Sequence, residues 1–75
     1  MPRNQEELSH RLRRVCERRA SLRQQLQGLE ERITEAERSG DGWELRCRRA
    51  DREDLRGEIA AADEIITRIE SELTR

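Results

Sequence analysis

Leu8, Leu12, Val15, Arg19, Leu22, Leu26, Leu29, Ile33 and Ala36 follow one another at alternating spacings of four and three. Leu55, Ile59, Ala62, Ile66, Ile69 and Leu73 do the same in the second half of the chain. Such spacing places every member on one stripe of a helix and is the a/d seam of a coiled coil. Folding the second stripe back on the first matches the rungs: Leu8 with Leu73, Leu12 with Ile69, Val15 with Ile66, Leu22 with Ile59, Leu26 with Leu55. On the remaining rung bulky Arg19 meets small Ala62. The predicted fold is therefore all-α, a single domain over 1–75 built as an antiparallel two-helix coiled-coil hairpin, with helices over about 5–38 and 51–74.

Local signals set the boundaries. Asn4 is a fair N-cap, and Glu6 and Glu7 suit the positive end of the helix dipole. Gly28 costs the first helix about 1 kcal/mol against Ala without breaking it. Ser39-Gly40-Asp41-Gly42 ends it, with Gly40 suited to the left-handed position that follows a helix. The next segment is ambiguous. A helix from Trp43 would set Arg48 opposite Ile33 and Arg52 opposite Leu29, a poor core. Read with period two, Trp43, Leu45 and Cys47 share one face, and Asp51 becomes a capping residue with Asp54 three positions on. This favours a short extended stretch over 43–48, folding Trp43 and Leu45 over Leu29 and Ile33. A continuous helix from Trp43 is the alternative.

The charge pattern supports the hairpin. Residues 11–23 carry six Arg and one Glu, and the facing residues 58–70 carry four acids and one Arg. Arg11 with Glu72, Arg32 with Asp51 and Glu30 with Arg49 are attractive flanking pairs, while Arg23 with Arg56 is not. Exposed pairs are worth about 0.2–1 kcal/mol each, so they set register more than stability. Charged residues make up 44% of the chain against about 25% in an ordinary domain. Apolar residues are 32% and Trp43 is the one aromatic. A core this thin calls for neighbours, so a protein partner or a homo-oligomer is expected. Ile65 beside Ile66, and Cys16 beside Val15, widen the seam and offer apolar width for that neighbour.

No constellation for chemistry is evident. His10 has neither an orienting partner nor a nucleophile near it in sequence. Cys16 and Cys47 fall many helical turns apart in the hairpin, beyond the reach of a disulfide, and with one histidine they make no metal set. Glu30-Glu31 and Asp63-Glu64 are read as lying on exposed helix faces, so acid–base catalysis has no support. No cofactor and no small-molecule substrate are expected, and the chain is read as non-enzymatic. All sixteen basic residues are Arg, yet net charge is −1. The run Arg11, Arg13, Arg14, Arg18, Arg19, Arg23 therefore reads as the answer to an acidic second helix rather than as a grip on nucleic acid. No apolar run approaches a membrane span and no signal-peptide core is present, so a cytoplasmic or virion-borne protein is expected. Trp43 is either a local cap on the core or the anchor of an interface.

Gly40-Asp41-Gly42-Trp43-Glu44-Leu45, followed by Arg48-Arg49-Ala50-Asp51-Arg52-Glu53-Asp54-Leu55, resembles small tailed-phage proteins of the W-type head–tail joining class. The resemblance covers residues 40–60. Trp43 and Leu45 match its aromatic and aliphatic positions, Asp51 its helix cap, and Arg52, Asp54 and Leu55 its helix start. It implies a structural adaptor packed in a ring between portal and tail. The rival expectation is a small regulatory binder that occludes one host protein. For either role the expected contact residues are Trp43, Leu45, Ile65, Arg18 and Arg19.

Overall fold

The computed structural model describes residues 2–75, with side chains from Asn4 onward. Two helices pack antiparallel: α1, Pro2–Ser39, and α2, Gly42–Leu73. The molecule is a rod of 57 × 14 × 13 Å. Its long dimension is that of α1 alone, 38 residues rising about 1.5 Å each.

Leu22, Ile33 and Ala36 of α1 and Ala62, Ile66 and Ile69 of α2 form the buried core. Leu8, Leu12, Val15, Arg19, Leu26, Leu29, Leu55, Ile59 and Leu73 are half-buried along the same line. Every one of these belongs to the heptad stripes. Ion pairs run across the seam: Arg18–Glu58 (3.5 Å), Arg19–Asp63 (2.9 Å), Glu30–Arg56 (3.6 Å) and Glu37–Arg49 (3.8 Å). The flanking partners differ from the sequence pairing. Glu30 takes Arg56 rather than Arg49, which frees Arg56 from the repulsive neighbour Arg23 and hands Arg49 to Glu37.

Two residues make the turn, and Asp41 does most of the work. Gly40 adopts φ +72°, the left-handed conformation that spares a residue without Cβ. The Asp41 N–H donates to the Ala36 carbonyl (3.1 Å), closing the end of α1. The Asp41 carbonyl accepts from the Leu45 N–H (3.0 Å), the first bond of α2. Its side chain Oδ1 accepts from the Glu44 N–H (3.1 Å), which caps α2.

Three expectations are corrected here. The stretch 43–48 is not extended: α2 begins at Gly42 and runs through it. Asp41, not Asp51, is the N-cap. The first helix begins at Pro2, so Asn4 lies inside it rather than at its cap. The physical reason for the first two is that Arg48 and Arg52 are tolerable on the seam. Leu45, Arg48, Arg52 and Leu55 continue the three-and-four spacing, which sets Leu45 across from the small Ala36. Arg48 stays half-buried, with its head turned back to its own helix: Nε donates to Glu44 Oε1 (3.1 Å) and Nη1 to Asp51 Oδ2 (2.9 Å). An arginine can cover the apolar seam with its stem while its charge remains paired at the edge. Arg52 is accommodated less well, because its Nε is buried with no hydrogen-bond partner.

Candidate interaction surface

The five expected contact residues fall into two groups. Trp43 and Leu45 lie in the first turn of α2, beside the hairpin turn. Ile65, Arg18 and Arg19 lie together about 30 Å away, some twenty residues along α2 at helical rise. No single patch includes all five.

At the turn end, Trp43 is 71% exposed. It does not cap the core; the residue that turns inward is Leu45, half-buried on the seam. The guanidinium carbon of Arg46 stands 5.6 Å from the centre of the indole ring. A cation over a ring face at this distance is attractive, and at an exposed site it is worth about 0.5–1 kcal/mol. The pair makes a flat platform that is apolar on one side and charged on the other. Arg46 escaped the sequence reading because period two put it on the face opposite Trp43. In a helix, the three-residue spacing brings the two side chains together.

At mid-rod the two arginines point to opposite flanks. Arg18 reaches Glu58, and the two border a shallow groove of about 240 Å³ also lined by Val15, Ala61, Ala62 and Ile65. Arg19 sits on the seam itself and donates from Nη1 to Asp63 Oδ1 (2.9 Å). That hydrogen bond, first, and the negative charge of Asp63 hold the Arg19 guanidinium above its ordinary pKa, against an opposing cost of burial. Cys16 borders Arg19, on the flank away from Ile65. The extra apolar width expected from Cys16 and Ile65 is thus split between two sides of the rod. The Ile65 side has a groove with an apolar floor.

His10 is exposed, and Cys16 and Cys47 are free, half-buried thiols. Among the described residues, no three His, Cys, Asp or Glu side chains are gathered as a metal ion would need. One hollow, of about 630 Å³, is an open trough along α2 alone, from Asp63 to Arg75. Among the described residues, no helix is long and apolar enough to cross a membrane. The chain matches no protein-family model, no curated protein and no solved structure.

Proposed function

We propose that the hairpin is a non-enzymatic assembly protein that works by binding other proteins along its rod. The observation that carries this reading is the Trp43–Arg46 platform, a large aromatic left 71% exposed beside a rigid two-residue turn. Interface energy concentrates in Trp and Arg side chains that a partner can desolvate. Holding that pair on a helix end keeps its conformational cost on binding low.

Capture of the tagged protein from its native source, run beside Trp43→Ala, tests the proposal. Recovery of a structural complex by the wild type and its loss with Trp43→Ala supports it. Identical recovery by both proteins removes Trp43 from the binding surface, and recovery of nothing above background rejects the assembly role.

The tailed-phage adaptor is a narrower form of the same proposal. It draws on residues 40–60, where Trp43 and Leu45 stand in a helix rather than in the extended segment that the resemblance implies. The broader reading is therefore preferred, and the adaptor role requires the protein to co-purify with portal, capsid or tail components. The regulatory alternative uses the same platform and predicts a complex of fixed stoichiometry with one non-structural protein. Nucleic-acid binding is favoured by no contact in the rod: Arg18 and Arg19 are held by Glu58 and Asp63. A mobility shift at low salt would revive that reading.

A further inference from the structure

Two columns of opposite charge run along one flank of the rod, with an apolar channel between them. On α1 the column is Arg11, Arg18 and Arg32, each seven or fourteen residues from the next. On α2 it is Glu72, Glu58 and Asp51: Glu72 stands level with Arg11 and Asp51 with Arg32, while Arg18 is level with Ile65 and Glu58 with Gln25, one heptad further along. The channel is a row of shallow grooves. One lies between Arg11 and Glu72 beside Leu8, one holds Val15, Ala61 and Ile65, and one holds Gly28, Leu29 and Leu55 between Arg32 and Asp51. Ile65 is only half-buried, Ala61 is exposed, and Gly28 has open space where a Cβ would stand.

We propose that this face binds a second copy of the chain, with the twofold axis running along the channel and both turns at the same end of the resulting four-helix bundle. This goes beyond the assembly role above and does not depend on it. Rotation about the channel lays the basic column of each copy on the acidic column of the other. Arg11 then faces Glu72 of the second copy and Arg32 faces its Asp51, while Arg18 and Glu58, already paired within each copy, flank the central Ile65. A twofold axis perpendicular to the rod would instead lay the basic column on itself, and like charges in register repel. Every helix in the proposed bundle also has antiparallel neighbours, the arrangement already used inside one hairpin.

The dimensions suit the proposal. A face of 57 × 14 Å offers about 800 Å² per copy, the size of a standard stable interface. Gly28 and Ala61 keep the channel low enough for a second helix to seat closely. The opposite flank lacks this pattern. There Arg23, Glu30 and Glu37 of α1 face Arg49, Arg56 and Asp63 of α2, with both signs in each column and three cross-helix bonds already made.

Sedimentation equilibrium on the purified chain is the first test, since it needs no other partner. The expected mass is twice 8.9 kDa at micromolar concentration, with dissociation strengthened by salt. Ala61→Arg changes an exposed helix position, so it should leave helicity intact and return the mass to 8.9 kDa. Ile65→Glu should do the same. Orientation is read by spin labels on Ser39→Cys in a Cys16→Ser, Cys47→Ser background. Turns at one end give a label distance well below the rod length, whereas turns at opposite ends give one approaching 57 Å. A monomer at all concentrations, a dimer indifferent to Ala61→Arg, or labels a rod length apart would each overturn the proposal.

Discussion

Arg19 and Asp63 join the two helices at mid-rod, Nη1 to Oδ1 at 2.9 Å, one residue away from the rung where Arg19 meets Ala62. Ala62 is 4% exposed, so the space that a larger side chain would need is filled by the arginine stem. Ala62→Leu should therefore overpack this rung and cost about 1–3 kcal/mol in urea denaturation. The exchange Arg19→Ala with Ala62→Leu should recover much of that loss, and equal stability of the single and double variants would show that the rung is not size-matched. A cation whose folded pKa is raised contributes stability below its unfolded value and loses it only as pH rises through the folded value. The Arg19 guanidinium is held above an ordinary value that is already strongly alkaline, so this contribution should be flat from neutral pH until strong alkali.

Ile66 and Ile69 are 4% and 3% exposed, in a core of only six buried side chains among the described residues. Ile66→Ala should cost about 2–5 kcal/mol, much of what a two-helix unit has to lose. Circular dichroism should then show a large fall in helicity at room temperature. A melting point within a few degrees of wild type would mean that the stability lies elsewhere.

Asp41 closes one helix and opens the next, so its loss should be felt at both. Asp41→Ala should cost about 0.5–2 kcal/mol as a lost N-cap, with Asp41→Asn closer to wild type. Gly40→Ala forces a Cβ into the left-handed region at φ +72° and should cost about 1–2 kcal/mol. Chemical denaturation of the three variants ranks them directly.

Arg52 should be the most improvable position. Its buried, unpartnered Nε carries a desolvation cost of about 1–3 kcal/mol, which Arg52→Leu removes while filling the seam. Arg48→Leu should gain less, because it also breaks the bonds to Glu44 and Asp51. If Arg52→Leu proves no more stable than Arg48→Leu, the two seam arginines are equivalent after all. Gly57→Ala, on open helix surface, should add about 1 kcal/mol by helix propensity alone.

These residues also show where the fold was legible. The rungs from Leu8–Leu73 to Leu26–Leu55 and the left-handed Gly40 follow from spacing and backbone sterics, which act locally and leave a periodic trace. The helix over 43–48 is hidden in the sequence because a seam position is normally recognised by an apolar residue. Arg48 fails that test yet occupies the seam, since its stem covers apolar surface while its head bonds along its own helix. Asp51 then looked like a cap because it precedes an acidic residue at the right spacing, as Asp41 also does. The candidate surface was less legible still. Trp43 and Arg46 become a pair only when the helix brings them together, and the columns on the Ile65 flank depend on which side of the seam each charge falls.

The short turn at Gly40–Asp41 also sets how the rod comes apart. With so little chain to close, the rungs beside the turn form at small entropic cost, and each later rung is closed by the one before it. The hairpin should zip from the turn outward and fray from the end where Leu8 meets Leu73. A force drawing the start of α1 away from the end of α2 loads one rung at a time, so the rod peels open at low tension, whereas a partner gripping both helices at that end would act as a clasp.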